Sequence, residues 1–278
     1  MNKIHISTVI GSDVPVETQL KLIKNAGFSG FFLTYSGTPE EKIDQWAETA
    51  QKLGLEFETV HGPFVHANRL WEAGEPGKEY LGYLKGIIDA CHRIAVDKLI
   101  MHVTVGNTAP PVSVEGLNLF SQLCGYAKDQ NVQICFENLE PLPHIDAVMA
   151  HITDPFHGFC WDCGHNACYT PHIDMMAKFG SRLKCLHIHD NLGVTQPGNI
   201  DYRDDRHFLP FDGIIDWTWF ADKLNQVDYQ GPLTLEVSIS GKPDYKEISL
   251  EEYLSMAYER GCRLRELLLK RKGLNQNL

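Results

Sequence analysis

Short apolar runs of four to seven residues recur along the chain, and most are followed by a longer amphipathic stretch. The short runs predict strands and the long stretches helices, so their alternation predicts repeated βα units. Strands are expected at Lys3–Val9, Gly30–Leu33, Glu56–Val60, Lys98–His102, Gln133–Glu137, Gly158–Asp162, Leu183–His189 and Leu233–Val237. Helices are expected near Val16–Ala26, from Thr38-Pro39-Glu40-Glu41 onward, and near Glu79–Ile94, Val114–Lys128, Ile214–Leu224 and Leu250–Leu268. Thr38 followed by a proline and two acids is a helix start: a capping oxygen, a preset φ, then negative charge at the positive end of the dipole. Eight units in 278 residues predict an α/β protein that is one (β/α)₈ TIM barrel over residues 1–278. The rival is an open doubly wound sheet, which usually carries a glycine-rich phosphate loop after its first strand. Here Gly11-Ser12-Asp13 offers a single glycine.

Strand parity sorts the side chains. Stepping back two residues from the polar residue at each strand end gives Thr59, Ile100, Cys135, Cys160, Cys185 and Thr234. These small and medium side chains suit an interior layer of a barrel, whereas Phe136, Trp161, Ile188 and Leu235 are expected to face the outer helices. Three of the eight cysteines are thereby assigned to packing. Cys160 and Cys163 form a lone CxxC without the second pair that a zinc ribbon needs.

The polar residues at the strand ends carry the chemistry. His61 follows strand three, His102 ends strand four, Glu137 strand five and Asp162 strand six. His187 and His189 end strand seven and Glu236 strand eight, with His165 three residues beyond Asp162 and Asp205-Arg206-His207 in the loop after strand seven. One histidine at a strand end is more often hydrogen-bonded packing than a ligand, and one glutamate more often a solvated charge. Collected at the C-terminal mouth of one barrel, these carboxylates and imidazoles would desolvate and repel one another unless a cation or protons compensated. A mixed His, Asp and Glu set suits a divalent metal: Mn²⁺ or Zn²⁺ first, then Co²⁺, Fe²⁺ or Mg²⁺.

Composition narrows the partners. A net charge of −11 opposes nucleic-acid binding, which draws affinity from Lys and Arg. The sequence shows neither a secretory apolar run at its start nor a membrane-length apolar stretch, so a cytoplasmic protein with reduced thiols is expected. Homo-oligomerisation through the outer helices stays open.

The order Glu137-Asn138, Asp162-Cys163-Gly164-His165, His187-Ile188-His189-Asp190 and Glu236 on consecutive strands resembles the xylose isomerase-like TIM-barrel superfamily. That superfamily includes sugar isomerases, ketose 3-epimerases and endonuclease IV-type enzymes. The resemblance implies that Glu137, Asp162, His187 and Glu236 hold one metal, and that Glu137 and Glu236 also exchange a proton with a carbohydrate through an enediolate. The three-metal endonuclease branch implies further ligands at His61, His102, His165, Asp205 and His207. His165, His189, Arg206 and Trp71 are the expected substrate contacts, with Phe64 and Trp217 as further wall residues. The sequence departs from the ketohexose epimerase pattern at Pro143, where an acid is usual, and in residues 191–200, which lack arginine. A sugar isomerase or epimerase is therefore the leading expectation. An abasic-site phosphodiesterase and a non-catalytic sugar binder are the alternatives.

Overall fold

A computed structural model describes residues 1–35 and 40–275. Eight strands, β1 (Ile4–Ser7), β2 (Gly30–Thr34), β3 (Glu56–His61), β4 (Lys98–His102), β5 (Gln133–Glu137), β6 (Gly158–Asp162), β7 (Leu183–His187) and β8 (Leu233–Leu235), lie parallel in the order β7-β6-β5-β4-β3-β2-β1-β8. The ring closes where Ile188 bridges Leu235: the Ile188 N–H donates to the Thr234 carbonyl (2.9 Å) and the Glu236 N–H to the Ile188 carbonyl (3.0 Å). The expected single (β/α)₈ barrel is the fold.

The outer layer contains α1 (Val16–Ala26), α2 (Glu40–Leu53), α3 (Glu75–Arg93), α4 (Val114–Asp129), α5 (His144–His151), α6 (Cys163–Tyr169), α7 (Met175–Phe179), α8 (Trp217–Gln226) and α9 (Leu250–Asn275). The helix start read at Thr38-Pro39 lies outside the described residues. Helices α5, α6 and α7 were not expected from the sequence, being five to eight residues long and too short for a clear amphipathic period. α6 begins at Cys163, with no loop after β6, because the Asp162 side chain accepts the His165 N–H at 2.6 Å and caps it. No helix among the described residues is long and apolar enough to cross a membrane.

Parity holds on most strands. Ile100, Cys135, Cys160 and Cys185 form their own buried cluster inside the barrel, separate from the main core between strands and helices. Phe136 packs on Phe120 of α4, and Trp161 stacks on Phe220 of α8 with centroids 5.0 Å apart. Each such ring contributes about 1.5–3 kcal/mol by leaving water. Cys163, the other half of the CxxC, donates its thiol to the His189 carbonyl.

β3 breaks the alternation. Phe57 pairs with Phe31 and Thr59 with Phe32, leaving Glu58 as an extra residue. This bulge turns Glu58 inward, where it meets His5 Nδ1 (2.8 Å) and accepts from Thr234 Oγ1 (2.7 Å). A buried polar cluster therefore sits deep in the barrel, away from its mouth.

Candidate metal centre

Each strand delivers its last polar residue to the C-terminal mouth. His61, Glu137, Asp162, His187 and Glu236 are almost completely buried there. Among the described residues, four groups of ligand atoms lie close enough to share an ion: His61, His102 and Glu137; Glu137, Asp162, His187 and Glu236; His165, His189, Asp205 and His207; and His61, His187 and Glu236. Glu137 belongs to two of them.

The spacing fits coordination. His61 Nε2 lies 3.2 Å from His102 Nε2, and Glu137 Oε2 is 3.1 Å from the first and 3.3 Å from the second. Ligands at about 2.0–2.2 Å around a tetrahedral ion stand roughly 3.3 Å apart. In the second group His187 Nδ1 is 3.1 Å from Glu137 Oε1 and 3.3 Å from Glu236 Oε2. In the third, Asp205 approaches His165 Nε2 at 3.2 Å and His207 Nε2 at 3.6 Å.

The tautomers fit as well. The Nδ1 atoms of His61, His165 and His207 lie 2.7, 3.1 and 2.9 Å from the carbonyls of Gly62, Asn138 and Glu236. A carbonyl only accepts, so each Nδ1 carries a proton and each ring turns its Nε2 toward the cluster, where a ligand lone pair would be needed. Several buried atoms have no hydrogen-bond partner: Asp162 Oδ2, His187 Nε2, both nitrogens of His189, and Asp205 Oδ1. Buried polar atoms left this way fit the ligand set of a cation.

Charge tells the same story. Burial alone would raise the Glu137 carboxyl, but His187 and His102 outweigh it and hold it well below the usual carboxylate range. Asp205 is likewise held low by His207 and His165 against its burial. In return, carboxylates overcome burial at His187 and His207, raising each to about 9, and lift His165 well above the ordinary value. His102 goes the other way, because burial outweighs Glu137. Protons thus do the compensating that a divalent ion would do, and an ion held by these groups would have to displace them.

His187 stands in the Glu137, Asp162 and Glu236 group, while His189 stacks on His207 with centroids 3.9 Å apart and its Nε2 lies 3.1 Å from Asp162. Gly164 makes room for it: a Cβ there would come within 2.0–2.4 Å of the His189 ring. Phe64 lines the mouth as expected, stacked on His102.

Four expected contacts are corrected. His189 has no exposed surface and does not line the cavity. Trp71 is buried among Phe120 and His144 and donates its indole N–H to the Val103 carbonyl at 2.7 Å, so it packs rather than touching a ligand. Trp217 is likewise buried, with its N–H 3.2 Å from Asp190 Oδ2. Arg206 is exposed and does not line the cavity.

Two supporting residues were not singled out from the sequence. Asn138 clamps β5 to β6, accepting the Asp162 N–H (2.9 Å) and donating to the Asp162 carbonyl (2.8 Å). Tyr169 stacks on His165 and donates its hydroxyl to Asp205 at 3.1 Å. Its place four residues after His165 in α6 is the sequence signal for it.

Above the centre lies a cavity of about 1000 Å³. His61, His102, His165, Asp205, His207 and Glu236 face it, whereas Glu137, with no exposed surface, sits one layer deeper.

Comparison with known proteins gives this arrangement its relatives. The chain is 26% identical to the uncharacterized protein y4fM of Sinorhizobium fredii, over 92% of this chain and 90% of that protein. It is 21% identical to the uncharacterized protein MJ1311 of Methanocaldococcus jannaschii, over 93% and 91%. Among solved structures it superposes on a D-psicose 3-epimerase from Clostridium cellulolyticum H10 with TM-score 0.75, at 13% identity over 96% of this chain and 99% of the other. An IolI protein with a bound zinc atom gives TM-score 0.77, at 15% identity over 94% and 97%. Residues 20–255 match the model of the xylose isomerase-like TIM barrel family, and the chain belongs to that family.

Proposed function

We propose that this protein is a divalent-metal-dependent sugar or polyol isomerase or epimerase that moves a proton on a carbon beside a carbonyl through an enediolate. The observation that carries this reading is Glu236, a carboxylate that faces the cavity while lying 3.3 Å from His187 Nδ1 in the deepest ligand group. The epimerase structures it resembles support it. Glu137, Asp162, His187 and Glu236 would hold the ion, with Mn²⁺ or Zn²⁺ suiting the donor set. Bound there, a divalent ion supplies Lewis-acid polarisation of the carbonyl and acidifies the neighbouring C–H.

The rest falls to the side chains. Glu236 takes the proton as general base and returns it from the same face. Glu137 was expected to share that work, yet it lies behind the cavity wall and is assigned to holding the cluster. One base on one face suits transfer between adjacent carbons better than inversion, which needs a donor on the opposite face. The isomerase arm is therefore the better supported.

The test is deuterium incorporation from D₂O into a panel of ketoses and aldoses by Mn²⁺-loaded protein. Glu236→Gln should lower exchange by about 10²–10⁴-fold with the metal still bound; unchanged exchange would sink the proposal. A second reading, metal-dependent phosphodiester cleavage, is favoured by the groups His61, His102 and Glu137 and His165, His189, Asp205 and His207 beside the proposed site. The absence of Lys and Arg among the described residues of the cavity lining opposes it. Three ions per chain, with chelator-sensitive cleavage of abasic-site DNA, would establish it instead.

A further inference from the structure

The cavity has two unlike halves. Its floor is the charged centre, and the side contributed by β1, β2 and the helices after them is apolar, with Ile10, Val16, Leu33 and Trp46; Phe64, stacked on His102, borders the floor. Ile10 and Phe64 stand at its mouth with 37% and 38% of their surface exposed, apolar area that gains by being covered. Polar side chains in this half are partly spent on the backbone. The Gln19 amide accepts the Val9 N–H (2.8 Å) and donates to the Val14 carbonyl (2.7 Å), and Ser12 Oγ accepts the Val14 N–H (3.3 Å). The volume, about 1000 Å³, is at the top of the range of roughly 300–1000 Å³ that houses drug-sized ligands. A bare hexose on the floor leaves the apolar half empty.

The charged lining is one-sided. Glu140, Asp205 and Glu236 line the cavity, and among the described residues no Lys or Arg does. Glu140 is 7% exposed; the Tyr202 hydroxyl interacts with its carboxyl group, and its Oε2 has no hydrogen-bond partner. A buried carboxylate oxygen without a donor accepts a hydroxyl readily and rejects a phosphate.

We infer that the substrate is an uncharged hydroxylated head bearing an apolar substituent, the head on the metal centre with a hydroxyl donated to Glu140, the substituent against Ile10 and Phe64. The placement of the head rests on the proposed function.

Calorimetric titration of the Mn²⁺-loaded protein tests this with four probes: methyl and phenyl β-D-glucopyranoside, D-fructose and D-fructose 6-phosphate. The phenyl glycoside should bind about tenfold more tightly than the methyl one, the return on covering one ring. The phosphate should bind no better than fructose. Ile10→Ser should erase the phenyl preference, and Glu140→Gln should weaken both glycosides. Equal binding of the two glycosides, binding of neither, or tighter binding of the phosphate would overturn the inference. Its fate is separable from that of the proposed reaction, because glycosides have no free carbonyl and report binding alone. A phenyl preference with no exchange on the free ketoses and aldoses keeps the inference and removes the isomerase, whereas exchange on a preferred sugar phosphate does the reverse.

Discussion

Replacing Gly164 by alanine sets two effects of opposite sign against each other. Gly164 lies within α6, and a glycine in a helix interior usually costs about 0.5–1 kcal/mol relative to alanine. Propensity alone therefore predicts stabilisation. The new Cβ, however, would stand 2.0 Å from a His189 ring carbon, so the ring has to retreat by about 1.4 Å to reach ordinary contact at 3.4 Å. It is boxed in by His207, stacked at 3.9 Å, and by Asp162 at 3.1 Å. Overpacking of this kind costs about 1–3 kcal/mol, so the clash wins. Gly164→Ala should lower stability by about 1–2 kcal/mol net and, by displacing ligand side chains, weaken metal binding by about 10–100-fold. Urea unfolding of the chelator-treated protein measures the first effect, and competition with a coloured chelator the second. The cause is isolated by adding His189→Ala, which removes the ring: against that background Gly164→Ala should turn neutral or stabilising. Equal destabilisation with and without the ring would refute the argument.

Glu137→Gln should reduce bound metal in more than one ligand group, since Glu137 serves two of them; elemental analysis after dialysis checks it, and unchanged stoichiometry contradicts it. Glu58→Ala leaves His5 Nδ1 and Thr234 Oγ1 buried without their partner and should cost about 1–3 kcal/mol in urea unfolding, with metal affinity unaltered because the group lies away from the mouth. His157, whose Nδ1 accepts the Ile134 N–H, is lowered to about 4, chiefly by burial. Unfolded histidine titrates near 6.5, so this contribution is complete above that pH and is lost as pH falls toward 4. The stability gap between wild type and His157→Gln should narrow between pH 7.5 and 5, and parallel curves would count against it.

Much of this was legible in the sequence. Strands β4, β5 and β6 run between the residues expected, because each is an apolar run closed by one polar residue. The same punctuation picked out the polar side chains that the structure gathers at the mouth and the interior cysteines. What stayed hidden depends on distant partners. The bulge at Glu58 shows only in its pairing with β2, and strict alternation would have sent that carboxylate outward. Trp71 and Trp217 read as wall residues because indoles suit sugars, yet each N–H finds an acceptor in the packing, Val103 in one case and Asp190 in the other. Glu137 is read as part of the strand-end cluster and is found there, but its depth below the cavity depends on where His61, His102 and His165 come to rest.

The junction that closes the ring gives the centre a mechanical role. Between the last two strands the barrel is fastened by a single bridge at Ile188 and Leu235, a far shorter ladder than joins β4 to β5. His187 lies immediately before that fastening on one side and Glu236 immediately after it on the other, in the same ligand group. An ion gripping both would work as a rivet across the weakest seam of the hoop. Metal loading would then tighten the whole cylinder, and the amides of Ile188 and Glu236 would exchange more slowly with solvent in the loaded protein than in the stripped one.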